Sequence, residues 1–203
     1  MNKHSLAYEN FIKQITSEDA VRFDSYNPTL LKEINPNEID EIEDIIWKQF
    51  HNNVASLAVF LPELVKYDGI SELKKYLNSL DMPCGNGIKY AKVLYVYTGE
   101  VKYLFAIATG LEAKQKVLRL TAINELISCN PSPELFELCK EAYIKDNYEV
   151  IRDSAINGML YCKKIINSAI GYSVTSEAEK IKKKLSKENI NDRINAINIV
   201  FNK

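Results

Sequence analysis

The pattern Arg-x-x-Ala-Ile-Asn occurs three times in this chain, as RLTAIN at residues 119–124, RDSAIN at 152–157 and RINAIN at 193–198. The first two copies belong to a longer match, in which KVLRLTAINELISC aligns with EVIRDSAINGMLYC at an offset of 33 residues. From Val117 and Val150 onward, the aligned apolar residues recur every three or four positions, which predicts one amphipathic α-helix per copy. A single apolar stripe cannot be buried alone, and this period fits a stacked pair of helices. The chain is therefore expected to fold as a helical repeat.

The sequence also predicts the other helix of each pair. Before the second copy, Ser132 and Pro133 provide an N-cap and a first-turn proline for SPELFELCKEAYIKD. Before the third copy, Ser176 and Glu179 form a capping box for SEAEKIKKKL. Before the first copy, glycines flank the helical segment EVKYLFAIAT. We therefore predict three helix pairs over residues 99–203.

Residues 1–98 carry no copy of the hexapeptide but also have helical patterns. The segment Asn35-Pro36-Asn37-Glu38 predicts the start of a helix over NEIDEIEDIIWKQF, and VASLAVFLPELVKY, ISELKKYLNSL and GIKYAKVLYVYT predict further helices. No stretch alternates strongly enough to predict a strand. We therefore predict a single all-α domain over residues 1–203 with about 9–11 helices, in which the N-terminal part forms degenerate repeats or a cap.

The second copy resembles the HEAT-type repeats of α-solenoids. Asp146 lies in the predicted turn, Arg152 opens the second helix, and the small Ala155 permits close helix packing. The resemblance implies an α-solenoid of stacked antiparallel helix pairs. It also implies that Asp146 and Arg152 bond to one another or to neighbouring repeats.

The other two copies depart from this pattern. Arg119 and Arg193 correspond to the arginine of the second copy, but Ala113 and Lys187 stand at the place of its turn aspartate. The third copy also follows the second by 41 residues. An unbroken ladder of aspartate and arginine is therefore not expected.

Composition and residue patterns exclude several classes of protein. The chain is 46% hydrophobic and 26% charged, and 203 residues can bury a core without disulfides or metal. Four cysteines without a CxxC spacing and only two histidines predict no metal site, and we expect no cofactor. No signal-peptide core and no run of roughly 20 apolar residues is present. We therefore expect a cytoplasmic protein with reduced cysteines and no membrane contact.

The charge is unevenly distributed along the chain. Residues 1–80 hold 13 acidic and 8 basic residues, whereas residues 81–203 hold 14 and 18. Five carboxylates lie within seven positions: Glu38, Asp40, Glu41, Glu43 and Asp44. The simpler interpretation is a helix start that the helix dipole favours. The alternative is an acidic face that binds a basic protein.

Three further residues are candidates for partner binding. Asn124 and Asn157 recur at the same place in the repeat, so stacking would align them on one surface. They either contact a ligand or bridge adjacent repeats. Tyr97 belongs to a tyrosine-rich stretch and is either an interface anchor or a packing residue.

No catalytic arrangement stands out from the sequence. His51, beside Asn52 and Asn53 at a helix boundary, either assists chemistry or, as is more common, is a cap or surface residue. The GNG at residues 85–87 lacks the strand that precedes a phosphate loop. The lysines between residues 180 and 187 predict either solvated helix surface or phosphate contacts. Nucleic-acid binding is disfavoured because the net charge is −1 and basic residues do not interleave with aromatic ones.

The predicted function is therefore a non-enzymatic, protein-binding α-solenoid. The small size and the acidic N-terminal half favour an immunity or inhibitor protein that neutralises one basic partner, such as a nuclease toxin. One alternative is a nucleic-acid-acting, HEAT-like enzyme of the DNA-glycosylase type, which needs a basic concave surface with an acidic residue and aromatic side chains. The other is a scaffold or accessory subunit, which forms a stable complex and inhibits nothing.

Overall fold

A computed structural model describes residues 4–16, 28–52, 54–171 and 175–201. Within these ranges the chain forms ten α-helices and three 3-10 helices and contains no strand. The predicted all-α class is confirmed. The chain divides into two compact units, Met1–Leu80 and Asp81–Lys203.

The first unit contains three α-helices and two 3-10 helices among its described residues. These are α1 (Leu6–Thr16), η1 (Pro28–Glu33), α2 (Ile39–His51), η2 (Ala55–Glu63) and α3 (Gly69–Ser79). Segment η2 packs against η1, α2 and α3 and so lies at the centre of the unit. Its Leu57, Phe60 and Leu61 are fully buried.

Two details of the first unit differ from the sequence prediction. Helix α2 begins at Ile39 rather than at Asn37, and Asn35 donates a 3.1 Å hydrogen bond to the Glu38 carboxylate instead of capping the helix backbone. The segment VASLAVFLPELVKY forms a 3-10 helix that contains Pro62. Proline cannot donate a backbone hydrogen bond, which disfavours a regular α-helix there.

The second unit contains all three copies of the hexapeptide. Its helices are α4 (Gly85–Thr98), α5 (Val101–Ala108), η3 (Thr109–Glu112), α6 (Lys116–Ile127), α7 (Pro133–Lys145), α8 (Glu149–Cys162), α9 (Ser176–Leu185) and α10 (Ile190–Phe201). The copies lie in α6, α8 and α10, and a helix precedes each of them, as predicted. Ser132 caps α7 by accepting from the Leu135 amide at 3.0 Å. The cap of α9 is Thr175, one residue before the predicted Ser176.

The first two helix pairs pack in the way that a repeat predicts. Helix α5 contacts α7, α6 contacts α8, and α7 and α8 pack against each other. The third pair differs, because its first helix α9 contacts α8 whereas its second helix α10 contacts α7. The stacking of like helices seen in the first two pairs is therefore not repeated in the third. The α-solenoid arrangement therefore stays a prediction.

The Ala-Ile part of each hexapeptide lies in the core. The alanines are at most 6% exposed and the isoleucines at most 2%: Ala122, Ala155, Ala196, Ile123, Ile156 and Ile197. Small and branched side chains at these positions let neighbouring helices approach closely. Val117 and Val150, predicted on the same apolar face, are instead 71% and 56% exposed. They lie in the first turn of α6 and α8, beyond the edge of the packed surface.

The arginine of each hexapeptide binds the loop that precedes its own helix. Each side chain donates to the backbone carbonyl five residues earlier: Arg119 to Lys114 at 3.1 Å, Arg152 to Asn147 at 2.8 Å and Arg193 to Glu188 at 2.6 Å. Loop carbonyls outside the helical hydrogen-bond pattern can accept such side-chain donors. This shared bond gives a physical reason for an arginine in all three copies.

Two of the arginines also reach the following helix pair. Arg119 Nε donates to Asp146 Oδ2 at 2.7 Å, and Arg152 donates to both oxygens of Glu188, at 3.1 and 3.2 Å. Asp146 and Arg152 thus bond to neighbouring repeats rather than to one another. The acceptor in the third pair is Glu188, one residue beyond Lys187, which the sequence alignment had placed opposite Asp146.

Arg193 binds the C-terminal end of α7. Its side chain is only 2% exposed, and one terminal nitrogen lies 3.1, 2.7 and 2.8 Å from the carbonyl oxygens of Tyr143, Ile144 and Asp146. The last carbonyls of a helix have no partner within it and carry partial negative charge. A cation from α10 therefore caps α7 and joins the third helix pair to the second.

None of the helices in the described part of the chain combines the length and the apolar character needed to cross a membrane.

Introducing Glu at Ala155 tests the placement of the core. Ala155 is fully buried, so Ala155→Glu buries an unpaired charge and is expected to lower the free energy of unfolding by about 3–5 kcal/mol. Val150→Glu places the same residue at an exposed position of α8 and is expected to change stability by less than about 0.5 kcal/mol. Urea denaturation measures both. Equal stability of the two variants would contradict the assignment of Ala155 to the core.

The arginines differ in their expected contributions. Arg193→Met keeps side-chain length but leaves buried carbonyls of α7 without a donor, at an expected cost of about 3 kcal/mol or more. Arg152→Met should cost less, since its partner Glu188 is 88% exposed and remains solvated. The denaturant midpoints of the two variants show which substitution lowers stability more. An Arg152 variant as unstable as the Arg193 variant would argue against the capping role.

Candidate functional site

The predicted acidic cluster lies in the first unit, where its carboxylates have partners. Glu38 accepts from the Ser5 hydroxyl at 2.6 Å and from the Ser5 amide at 2.8 Å, and these bonds lower the pKa of Glu38. Glu41 accepts from the Tyr8 hydroxyl at 2.8 Å. Burial, together with that carboxylate, raises the pKa of Tyr8 to about 12. These residues attach α1 to the start of α2.

Glu43 is a buried structural residue. It is 2% exposed, and its two oxygens accept from the backbone amides of Val65 and Lys66 at 2.9 and 2.7 Å. The carboxylate thereby holds the chain after η2 against α2. Glu43 is therefore buried and does not belong to the acidic face that the alternative interpretation of the cluster requires.

The remaining two carboxylates of the cluster are exposed. Asp44 accepts from the Lys66 ammonium and from the Tyr67 hydroxyl, and the Lys66 bond is the main reason that the pKa of Asp44 is lowered. Asp40 lies on the exposed side of α2. The acidic surface of this unit is smaller than the count of carboxylates predicts.

His51 belongs to an aromatic cluster at the end of α2. Its Nδ1 lies 2.8 Å from the Trp47 carbonyl and its Nε2 lies 3.0 Å from Glu72, while the Trp47 ring stacks on Tyr67 at 4.4 Å. Both ring nitrogens thus lie within hydrogen-bond distance of an oxygen atom, one on α2 and one on α3. This geometry gives His51 a role in holding α2 to α3.

A groove lies between α5 and α7 in the second unit. It has a volume of ≈ 590 Å³, and its apolar surface comes from Phe105 and Ala108 of α5 and from Leu138 and Ala142 of α7. Phe105 is 51% exposed, which is unusual for a large aromatic side chain. A volume of this size is typical of binding sites.

A second depression continues the groove toward the start of α7. It has a volume of ≈ 610 Å³ and shares Phe105, Leu138, Glu141 and Lys145 with the first. Pro133 and Ile144 extend its apolar surface. The two depressions and Phe105 together are called the α5–α7 groove below.

Carboxylates outnumber cations along this groove. Five acidic and three basic residues line it: Glu112, Glu134, Glu137, Glu141, Asp146, Arg119, Lys140 and Lys145. Glu137 pairs with Lys140 at 2.8 Å, and Glu141 pairs with Lys145. Exposed pairs of this kind contribute little, so a partner can displace them at low cost. The groove therefore combines an apolar floor with a charged rim in which carboxylates are in excess by two.

Tyr148 closes the end of the groove near α6. The Lys116 ammonium lies 4.2 Å from the centre of its ring and the Arg119 guanidinium carbon 5.1 Å from it. Both distances allow cation–π attraction. Arg119 also donates a hydrogen bond to Asp146, which links the first helix pair to the second. This end of the groove therefore lies beside the contact between those two pairs.

The other predicted binding residues lie outside the lining of the groove. Asn124 is exposed on α6, Asn157 is half-buried on α8, and Tyr97 is 41% exposed near the end of α4. Since α6 packs against α8, the two asparagines lie on neighbouring helices, as the repeat predicts. Their role in binding stays a prediction.

Sequence reasoning missed Phe105, although α5 contains a signal that points to it. Tyr103, Leu104 and Ile107 form the buried face, yet Val101 and Phe105 place apolar residues on another face. A helix that is apolar on more than one side needs a second contact surface. In this structure that second face borders the groove.

Two observations concern metal binding and thiol reactivity in the described part of the chain. No group of three or more His, Cys, Asp or Glu side chains there could hold a metal ion. Burial raises the pKa of Cys129 to about 11 and that of Cys139 further, which disfavours the nucleophilic thiolate at neutral pH.

Glu43→Gln tests the structural assignment of the acidic cluster. An amide keeps one acceptor oxygen but places its NH₂ against the second backbone N–H, so we expect a loss of about 1–3 kcal/mol in unfolding free energy. Glu41→Gln is the matched control, because its amide oxygen can still accept from Tyr8 and its side chain is exposed. Thermal and urea denaturation compare them. A Glu43 variant as stable as the control would contradict the structural role of Glu43 and would indicate an exposed carboxylate.

Comparison with known proteins gives no relative for this arrangement. No protein-family model matches the chain, and neither the curated proteins nor the solved structures include a significant match.

Proposed function

We propose that this protein is a non-enzymatic, HEAT-like α-solenoid of the cytoplasm that binds one basic protein and neutralises it, as an immunity or inhibitor protein does. The observation that carries the proposal is the half-exposed ring of Phe105 in a groove rimmed by carboxylates. Exposed aromatic side chains next to well-packed pockets are frequent anchors of protein interfaces.

The charge of the groove supports a basic partner. Glu134, Glu137 and Glu141 project from the same side of α7, next to the apolar floor. Complementary charge speeds association and rejects acidic competitors, while the apolar floor provides most of the affinity. The proposal therefore places the binding surface on α5 and α7 and not on the acidic start of α2.

Packing of the first two helix pairs supports the solenoid part of the proposal. Like helices contact each other, α5 with α7 and α6 with α8, and arginines link successive pairs. Repeats stacked in this way present extended surfaces that suit protein recognition. Neutralisation of the partner is the finer step, and it rests on the small size of the chain and its charge.

The test is affinity purification from the native host at low salt with three forms of the protein. Wild type is compared with the groove variant Glu137→Lys/Glu141→Lys and with Glu177→Lys/Glu179→Lys, which makes the same charge change at exposed positions of α9. We expect wild type and the α9 variant to retain the same basic protein in stoichiometric amount. The groove variant should lose it.

Activity of the purified partner then separates inhibition from scaffolding. We expect the partner's activity to fall as wild-type protein is added and to be unaffected by the groove variant. A partner that remains active in the complex would support a scaffold instead of an inhibitor. Recovery of nucleic acid, or of no protein at all, would contradict the proposed function.

A further inference from the structure

We infer that the α5–α7 groove takes an amphipathic α-helix of the partner, with lysine or arginine along one side and large apolar residues along the next. The inference rests on the proposed function and adds the form of the segment that binds. It follows from how charged and apolar side chains are arranged along α7.

The carboxylates of α7 form a ridge with helical spacing. Glu134, Glu137 and Glu141 are three and four residues apart and line the same groove. Such residues lie one above another on a helix surface, separated by about one turn, or roughly 5–6 Å. A second helix laid along α7 presents its own side chains at the same interval. Cations three or four residues apart can therefore meet successive carboxylates.

The apolar floor runs beside this glutamate ridge. Leu138 and Ile144 of α7 and Phe105 of α5 line the second depression together with the ridge, so floor and ridge share one groove. A ligand that fits must carry an apolar stripe next to a cationic one. An amphipathic helix has this arrangement when both residue classes recur at intervals of three and four.

An extended segment fits the groove less well. Peptides bound as strands gain most of their affinity from backbone hydrogen bonds to an exposed sheet edge. The described residues contain no strand that could offer such an edge. Residues on one side of a strand are also about 6.6–6.8 Å apart, which exceeds the spacing of the ridge.

Phe105 sets the position of the helix in the groove. Its ring lines both depressions, ≈ 590 and ≈ 610 Å³ in volume. Apolar side chains of the ligand one turn apart can therefore enter both depressions and contact this ring. The segment is thereby held at Phe105 while its cations meet the ridge.

Three synthetic peptides of one length test the inference. The basic peptide carries Leu and Lys in an amphipathic helical pattern, the scrambled peptide has the same composition without that pattern, and the acidic peptide has Glu in place of Lys. Fluorescence anisotropy measures binding of each to wild type, Phe105→Ala, Glu137→Lys/Glu141→Lys and Glu177→Lys/Glu179→Lys. The exposed positions of all substituted residues favour retention of the fold, which far-UV circular dichroism checks.

We expect wild type and the α9 variant to bind the basic peptide best. Phe105→Ala should weaken that binding about tenfold or more, because the anchor is lost. The charge-reversed groove variant should lose the basic peptide and gain the acidic one. A shift of the basic peptide's circular dichroism toward helix on binding would confirm its conformation.

Several outcomes would overturn the inference. Equal binding of the scrambled peptide would show a response to charge alone, and unchanged binding to Phe105→Ala would place the site elsewhere. Concentration-dependent self-association of the protein that blocks the peptide would assign the groove to a second copy of this chain.

Failure of the helix inference can be told apart from failure of the proposed function. A basic native partner that the groove variant retains overturns the helix inference and the placement of the binding surface in the groove, while binding of a basic protein still stands. Groove binding of the peptide with no native partner overturns the proposed function and leaves the helix inference standing.

Discussion

The C-terminal end of α7 is the point where the three helix pairs of the second unit are joined. The Asp146 carboxylate accepts from Arg119 of the preceding pair, and its backbone carbonyl accepts from Arg193 of the following one. Arg193 supplies positive charge to the last carbonyls of α7, which have no partner within the helix, whereas Arg119 forms an ion pair with the Asp146 side chain. Asp146 is 9% exposed, so these bonds form where water competes little. The packing of all three copies depends on this junction.

The same helix carries the candidate binding surface on its other side. Leu135, Cys139 and Tyr143 face the core, and the Tyr143 hydroxyl donates to the Leu185 carbonyl at 2.6 Å. With its inner face and its C-terminus held, α7 presents the glutamate ridge from a rigid support. Preorganised side chains lose less entropy on binding, which favours recognition by this helix. Helix α7 therefore contributes both to the stability of the fold and to the proposed function.

The acidic start of α2 shows why counts of charge can mislead. Five carboxylates in a short segment predict a charged surface, but Glu43 accepts backbone amides from a segment 22 and 23 residues away. Glu38 likewise accepts from Ser5, which is 33 residues distant. A buried carboxylate is stable where such donors converge, and their convergence depends on the tertiary fold. Charge patterning by itself therefore does not distinguish the buried Glu43 from the exposed Asp40 and Asp44.

The amino-acid sequence by itself determined the helices of the second unit, because the spacing of apolar residues and the cap at Ser132 act locally. It also determined that Ala155 and its equivalents are buried, since a repeated small residue marks a close helix contact. Only the tertiary structure decided which acceptors the arginines bind and that Phe105 borders a groove while Leu104 beside it is buried. The local spacing of apolar residues shows which face of a helix is buried. Hydrogen-bond partners that are distant in sequence, and apolar faces that remain exposed, depend on how the helices pack.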